Sequence, residues 1–272
     1  MSLSPSFSRR LASIVSVTAL FLPGLAAAGD LKALPEASST SGSADSTIYF
    51  SGIDTAHRSF YLYQGATFAL NRDIGRDGVM LRTYAGYASY TFDSTSTTRT
   101  QGTETQVDGM IGYQFIRNGI TTSAFIGPDF HRISFTPKDP TIVPQGTKVG
   151  VKFAGEIEGD ENAKIYGNLS GEYSTAFDSY WSRGRLGYNF GRVTVGPEAI
   201  FFGQQGFHAE RIGAFATFKL NYSQKLPLQL TVSGGHQFVN KASDPSTGAS
   251  SNVVGFGGGE GAYVGVAVST TF

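Results

Sequence analysis

The side chains best suited to acid–base chemistry near neutral pH are four histidines, His57, His131, His208 and His236. Three of them have an acid two or three positions away in sequence: Asp54, Asp129 and Glu210. A hydrolase also needs a nucleophile or an activated water next to such a pair, and no His-Asp-Ser cluster stands out. The spacing of His, Asp and Glu does not suggest a transition-metal site either. We therefore predict no catalytic residue, no metal and no cofactor.

A larger set of charged and aromatic residues follows an alternating pattern, which places them on one face of extended strands. The bases are Arg82, Lys152, Lys164, Arg183, Arg185, Arg211 and Lys219, and the acids are Asp108, Asp129, Glu156, Glu158, Glu172 and Glu198. The aromatic members are Tyr61, Tyr63, Tyr84, Tyr90, Phe125, Tyr166, Trp181, Phe202 and Phe215. Seven bases against six acids favour salt bridges in a narrow lumen over a pore selective for one sign of charge.

The aromatic residues on this face allow two interpretations. Ring faces stack on the apolar faces of pyranose rings, so a string of them could guide a neutral glycan. The pattern by itself favours the simpler use, in which the rings fill space or form interfacial girdles. The candidates to line a substrate path are Tyr61, Tyr63, Tyr84, Tyr166, Trp181, Arg183, Arg185 and Phe215.

The elements that must position these residues are long strands. In RIGAFATFKLNY, residues 211–222, every even position from Ile212 to Tyr222 is apolar or aromatic. Such runs extend over about 10 to 15 residues, whereas strands of soluble proteins cluster near five or six and a tilted membrane strand needs about 9 to 11. The 35 Gly and the 21 Phe, 13 Tyr and one Trp also favour strands over helices.

Twelve strands are predicted, with ten to fourteen left open. They lie at roughly 47–54, 58–70, 78–92, 104–117, 120–135, 148–159, 163–175, 179–190, 193–203, 208–222, 226–238 and 260–272. Short connections alternate with long ones, as periplasmic turns and external loops do in outer-membrane barrels. The last strand ends on Phe272, which is typical of the signal read by the barrel-assembly machinery. The fold class is therefore all-β, a transmembrane antiparallel up-and-down barrel.

The N-terminus predicts export. Residues 1–28 combine a basic pair, an apolar run and a small-residue cleavage site ending at Ala28, which indicates a secretory signal peptide. Residues 29–46 are predicted to be a flexible periplasmic lead-in, and residues 47–272 the barrel. Lys plus Arg equals Asp plus Glu at 21 each, so no nucleic-acid partner is indicated. The absence of Cys excludes a disulfide scaffold. The expected location is the outer membrane of a Gram-negative bacterium, in contact with its lipid, as a monomer.

One stretch resembles a known family. Residues 51–92, SGIDTAHRSFYLYQGATFALNRDIGRDGVMLRTYAGYASYTF, are similar to the cellulose biosynthesis protein BcsS family of alphaproteobacteria. The matching positions are Gly52, Asp54, Ala69, Leu70, Asn71, Asp73, Arg76, Asp77, Gly78, Arg82, Gly86 and Tyr87. Two positions depart from the pattern: Arg72 replaces a small residue, often Gly, and Thr55 replaces Ala. Beyond these residues the resemblance rests on the strand rhythm and on KFAGEIEGDENA.

The resemblance implies a component of bacterial cellulose biosynthesis that acts in secretion or surface assembly of the polysaccharide. The cellulose chain and other cellulose-synthesis proteins are the partners it suggests, and it brings no known reaction. The motif turn is formed by Asn71, Asp73, Arg76, Asp77, Gly78 and Arg82. Two alternatives stay open, a lipid-modifying or hydrolytic barrel enzyme and a general small-solute porin.

Overall fold

The computed structural model describes residues 45–93, 99–138, 144–223, 226–241 and 258–272, so the predicted signal peptide lies outside the described residues. The described chain forms β1 (Thr47–His57), β2 (Ser59–Ala69), β3 (Gly78–Asp93), β4 (Arg99–Arg117), β5 (Ile120–Thr136), β6 (Gly146–Gly159), β7 (Ile165–Ser174), β8 (Ser179–Asn189), β9 (Val193–Gln204), β10 (Phe207–Ser223), β11 (Leu226–Lys241) and β12 (Gly259–Thr271). The all-β class and the count of twelve strands are confirmed. Among the described residues, no helix has the length and apolar character needed to cross a membrane.

The sheet closes on itself because the first and last strands pair. β1 and β12 run antiparallel with Ile48 opposite Thr271 and Thr55 opposite Val264, and every other strand pairs with its neighbours in sequence. The backbone amides of Ser46 and Thr47 both donate to the carbonyl of Phe272 at 2.9 Å, which ties the end of this seam. A closed up-and-down barrel leaves no strand edge exposed.

The two faces of the sheet have opposite polarity. Large apolar side chains point outward, among them Val149 (73% exposed), Ile165 (59%) and Ile212 (59%). Charged side chains point inward, where Lys152 and Glu198 are 1% and 2% exposed. This is the inverse of a soluble barrel and the arrangement of a transmembrane one, whose outer face meets hydrocarbon.

Some strands extend further than their sequence pattern predicted. β4 begins at Arg99 instead of residue 104, and β11 continues to Lys241 instead of residue 238. Pairing with a neighbour explains both, since Asp93 lies opposite Arg99 and Phe207 lies opposite Lys241. These segments are polar and carry little alternation, so their strand character comes from backbone hydrogen bonds to an already formed strand.

The connections at the two ends of the barrel differ. We call the end where β1 begins and β12 finishes the terminus end, and the opposite end the distal end. All connections at the terminus end are short, the longest being residues 70–77 between β2 and β3. At the distal end, residue 58, residues 94–98, residues 175–178 and residues 205–206 are short as well. The predicted alternation of short and long connections therefore holds for only two of the six distal connections, residues 137–145 and residues 242–258.

Candidate functional site

The lumen contains a cavity of about 380 Å³. Seven of the eight candidates for a substrate path line it: Tyr61, Tyr63, Tyr84, Tyr166, Trp181, Arg183 and Arg185. The eighth, Phe215, is 2% exposed and lies behind Arg185, whose guanidinium carbon is 4.9 Å from the centroid of its ring. The tyrosines of β2 and the tryptophan and arginines of β8 stand on opposite walls, because these strands are six positions apart in a ring of twelve.

Three tyrosines form a ladder along one wall. The ring centroids of Tyr61 and Tyr63 are 5.8 Å apart and those of Tyr63 and Tyr84 are 6.4 Å apart, both pairs being stacked. The rings lie flat on the sheet because glycines face them on the neighbouring strands. A Cβ added to Gly52 would stand 2.5 Å from the ring of Tyr63. Gly and aromatic residues are thus used in pairs, which accounts for part of their abundance.

One wall of the lumen carries a buried cluster of three charged residues from β4, β6 and β7. Lys152 of β6 lies between two acids, with its Nζ 2.8 Å from Asp108 Oδ2 and 2.9 Å from Glu172 Oε1. The same Nζ is 4.9 Å from the centroid of the Tyr84 ring. A buried ammonium is tolerated only where opposite charges and hydrogen bonds compensate for its lost hydration. Asp108 and Glu172 provide that compensation for Lys152.

Two further arginines are paired on the other wall. Arg185 forms an ion pair with Glu198, which lies directly opposite it on β9, and Tyr263 donates to the same acid at 3.3 Å. Arg211 donates to Gln237 Oε1 at 2.8 Å and lies 3.5 Å from Asp54 Oδ2. The predicted salt bridges inside the lumen are therefore present.

Six charged residues of the lumen form no ion pair among the described residues: Arg82, Arg183, Lys219, Asp129, Glu156 and Glu158. Three of them lie close together in strand register, Arg183 on β8 and Glu156 and Glu158 on β6. The guanidinium of Arg183 lies over the ring of Trp181 at 5.2 Å and forms no ion pair within that part of the chain. Glu156 accepts from Asn168 at 2.9 Å and Glu158 accepts from Tyr166 at 2.8 Å, both neutral donors. Charge that the barrel itself does not neutralise is thus left facing the cavity.

His131 forms a buried pair with an acid on the neighbouring strand. Its Nε2 lies 2.5 Å from Glu104 Oε1, and the two residues are 1% and 6% exposed. The sequence pattern missed Glu104, although the alternation that places Asp108 inward also places Glu104 inward. The ring of Phe177 packs edge-on against His131 with centroids 5.2 Å apart.

The other three histidines lie apart from this pair. His57 and His208 are exposed at the distal end, where the ring of His208 is hydrogen-bonded to the hydroxyl of Tyr180 at 2.9 Å. His236 points outward, with 49% of its side chain exposed. Within the described part of the chain, no group of three or more His, Cys, Asp or Glu residues could hold a metal ion.

The distal end of the lumen is filled by apolar side chains. Phe177, from the connection between β7 and β8, folds inward and is 1% exposed. It packs with a cluster contributed mainly by β3 and β5: Ala88, Tyr90, Phe92, Ile133 and Phe135. A second cluster lies beside it: Ile200, Phe202, Phe207 and Ala209. The charge and aromatic pattern had not singled out Phe177, since a single aromatic in a short connection carries no signal.

The motif turn at the terminus end is held first by its own side chains. Asn71 accepts from the amide of Asp73 at 3.0 Å and donates to the carbonyl of Asp77 at 3.0 Å. Asp73 accepts from the amide of Gly75 at 2.8 Å and pairs with Arg76 at 2.9 Å. These bonds are made within the turn, so the motif encodes a defined loop conformation.

The same turn is also bonded to β4. Gln114 donates to the carbonyls of Ile74 and Arg76 at 2.7 and 3.2 Å. Asp77 accepts from the amide of Ile116 at 2.7 Å and pairs with Arg117 at 2.6 Å. These two contacts, the amide first, hold the pKa of Asp77 below its usual range. Ile74 packs against an inward cluster of Ala69, Met80, Met110, Phe125 and Ala154.

The connection between β6 and β7 reaches across the terminus end. The Nζ of Lys219 on β10 donates to the carbonyl of Glu161 and to Asn162 Oδ1, both at 2.9 Å. Gln229 on β11 donates to the Glu161 carboxylate at 2.5 Å. Lys219 therefore faces inward as predicted. Lys164 does not: it is exposed in this connection, with its Nζ 5.6 Å from the centroid of the outward Tyr188 ring, because β7 starts at Ile165, two residues later than predicted.

Three comparisons place the chain among known proteins. The family of the cellulose biosynthesis protein BcsS matches residues 48–272, which cover all twelve strands apart from Thr47. The fold is similar to a KdgM porin in complex with disordered oligogalacturonate, at 12% identity over 84% of this chain and 99% of that one, with a TM-score of 0.40. It is also similar to the transport unit of the autotransporter AIDA-I from Escherichia coli, at 8% identity over 92% and 96% of the two chains, with a TM-score of 0.49. Scores below 0.5 carry no inference about function, and no curated protein matches the chain.

Proposed function

Because this chain belongs to the cellulose biosynthesis protein BcsS family, we propose that it acts in the secretion or surface assembly of cellulose at the outer membrane. The family match over the whole barrel carries this proposal. The role is a non-enzymatic one, in which the barrel receives or organises a polysaccharide made elsewhere.

The proposed location is the outer membrane of a Gram-negative bacterium. The apolar outward face requires hydrocarbon around it, and closed barrels of this kind with a polar interior are the spanning structures of that membrane. Residues 1–28 supply the export signal. The terminus end would face the periplasm, where other cellulose-synthesis components can reach it, and Phe272 would be read during insertion by the barrel-assembly machinery. We propose that the protein is a monomer there.

The lumen supports saccharide contact more readily than free diffusion. Ion pairs line its walls, Phe177 points into its distal end and residues 70–77 are docked at its terminus end. A cavity of about 380 Å³ falls in the range of single small-ligand sites, roughly 300 to 1,000 Å³. We therefore propose that the barrel is not a freely open channel, and that passage of a longer chain requires the ends to rearrange.

A clean deletion strain tests the role. Cellulose on the cell surface is quantified in the deletion and in a complemented strain, and synthase activity is measured separately in isolated inner membranes. We expect surface cellulose to fall while synthase activity stays intact, because the barrel acts after polymerisation. Unchanged surface cellulose in a strain that lacks the protein would overturn the proposal.

Conductance distinguishes this role from that of a general porin. Purified barrel in planar bilayers is expected to show no steady open state, because ion pairs and ring clusters occupy the lumen. A large, constitutively open conductance would instead support diffusion of small solutes, the porin alternative.

A further inference from the structure

Five residues that line the cavity each have one side-chain atom that is shielded from solvent and makes no hydrogen bond to the described protein groups. The buried atoms concerned are Glu104 Oε2, His131 Nδ1, Asn168 Oδ1, Ser170 Oγ and Arg183 Nε, and all five residues line the cavity. Arg183 Nε can only donate, Glu104 Oε2 and Asn168 Oδ1 accept, and His131 Nδ1 and Ser170 Oγ can do either. Polar groups left unpaired in a folded protein are destabilising unless something else satisfies them.

A ligand that matches this set must both donate and accept at closely spaced points. On β8, Arg183 offers guanidinium donors and forms no ion pair among the described residues. Two strands away on the same wall, Glu156 and Glu158 of β6 offer carboxylate oxygens with only neutral hydrogen-bond partners, and Ser170 of β7 lies between Glu156 and Arg183 in register. A hydroxyl group can meet either, since it donates one hydrogen and accepts through two lone pairs. A simple anion or cation would be attracted by one of these groups and repelled by its neighbour of opposite charge.

Flat apolar surface flanks the polar groups on both walls. The ladder of Tyr61, Tyr63 and Tyr84 stands across the lumen from Trp181, since β2 and β8 are opposite. Aromatic faces carry partial negative charge, and the C–H groups on a sugar ring carry partial positive charge. Alternating hydroxyl edges and C–H faces are the chemical signature of a pyranose ring.

Charge decides between neutral and acidic saccharides. The cavity is lined by five Lys and Arg residues and seven Asp and Glu residues, so the formal balance is 5 − 7 = −2. An acidic sugar would be repelled by this excess. We propose that the cavity is a binding site for a neutral oligosaccharide, a segment of β-linked glucan a few residues long. The choice of glucan rests on the proposed function, whereas the neutral polyhydroxylated character rests on the cavity.

The single tryptophan of the chain makes the site directly observable. Trp181 lines the cavity and is the only Trp in the sequence, so its fluorescence reports on this site alone. The full barrel is purified in a detergent without a sugar headgroup and titrated with cellotetraose, with calorimetry as a second readout. We expect a saturable change in Trp181 emission and a weaker response to a uronic-acid tetrasaccharide of the same length.

Matched arginine variants locate the site. Arg183→Gln is expected to weaken cellotetraose binding about tenfold or more, the usual effect of losing a charged hydrogen bond to a ligand. Arg183→Lys keeps the charge but loses the planar donors, and should weaken binding less. Arg192→Gln, in the exposed connection between β8 and β9, should bind as the wild type does. Heat-modifiable mobility on gels confirms that each variant is folded.

Three results would overturn the inference. They are the absence of saturable cellotetraose binding to folded wild type, tighter binding of the uronic-acid tetrasaccharide, and equal affinities for Arg183→Gln and Arg192→Gln. These outcomes leave the deletion experiment untouched. If surface cellulose falls in the deletion while cellotetraose does not bind, the site is wrong and the proposed function stands. If cellotetraose binds and surface cellulose is unchanged, the proposed function falls and the site stands.

Discussion

The motif turn at residues 70–77 and the connection at residues 175–178 close opposite ends of one lumen by different physical means. Each sends one apolar side chain inward, Ile74 at the terminus end and Phe177 at the distal end. The turn is held mainly by side-chain bonds to backbone and by ion pairs at the rim, where the side chain of Arg117 is 69% exposed. The connection is hydrogen-bonded to Val151 and Gln205 as well, but it adds a ring that is 1% exposed.

This difference gives the two ends different strengths. Exposed ion pairs contribute little free energy, because water and salt screen them. A buried aromatic ring contributes several times more, because its removal leaves a cavity that the surroundings fill only partly. The terminus end should therefore be the easier one to open, and the distal end the one that limits stability. Four substitutions test this ranking.

Phe177→Ala should have the largest effect. Loss of the buried ring is expected to lower the free energy of unfolding by about 3–5 kcal/mol and to introduce a steady conductance through the distal end. Urea unfolding followed by Trp181 fluorescence and planar-bilayer recording measure the two effects. The matched control is Phe190→Ala, since Phe190 is 68% exposed. Equal losses in the two variants would show that Phe177 does not close the lumen.

Gln114→Met should have an intermediate effect. The change keeps the length of the side chain but removes both hydrogen bonds to the turn, to the carbonyls of Ile74 and Arg76. We expect a loss of about 1–3 kcal/mol in the free energy of unfolding. Gln114→Glu should be worse, because it places a carboxylate against two carbonyl oxygens. A Glu variant as stable as wild type in urea would contradict the docking of the turn on β4.

Asp77→Asn should have a smaller effect that depends on pH. The amide of Ile116 and the charge of Arg117 lower the pKa of Asp77 in the folded state. Its stabilisation is therefore present above the pKa of an unfolded aspartate, about 3.9, and is lost as pH falls through the lowered folded value. The urea midpoints of wild type and Asp77→Asn should differ at pH 7 and converge at acidic pH. Glu260→Gln, which changes an exposed acid elsewhere, is the control. A difference in urea midpoint between wild type and Asp77→Asn that grew as the pH fell would contradict a lowered pKa of Asp77.

Arg72→Gly should have the smallest effect and the opposite direction. Arg72 has a φ of 62°, in the left-handed region that glycine adopts without strain. Relief of that strain is partly offset by the greater freedom of glycine in the unfolded chain, so we expect a gain below about 1 kcal/mol. Arg76→Gly, which loses the ion pair with Asp73, should instead lose stability. A loss at Arg72 as large as that at Arg76 would show that the turn needs the Arg72 side chain.

Strand number and face were predictable from the sequence because both follow from a period of two. The alternation at residues 211–222 determines which side chains face lipid and which face the lumen, and this does not depend on which strand pairs with this one. The same rule brought Tyr61, Trp181 and Arg183 to the lumen side. The rule failed at Lys164, because β7 begins at Ile165, two residues later than predicted. Boundaries depend on pairing and not on the local pattern.

The turn motif shows a second limit. The family resemblance singled out Asn71, Asp73 and Asp77, and it identified Arg72 as a departure from a position that is often Gly. The φ of Arg72, 62°, lies in the region that favours glycine, which agrees with that pattern. Nothing in the sequence indicated that Gln114 would bond the turn from β4, some forty residues away. A long-range contact of this kind follows from strand register, which no local signal encodes.

The sequence by itself determined an all-β barrel of twelve strands, the polarity of its two faces and the family to which it belongs, because these depend on residue type at alternating positions. Only the tertiary structure decided which charges neutralise each other, that Phe177 folds inward, and that Arg183 keeps unused hydrogen-bonding capacity beside Trp181. The physical reason is closure: once β1 pairs with β12, strands distant in sequence share one small lumen, and the distances across it are set by the barrel as a whole.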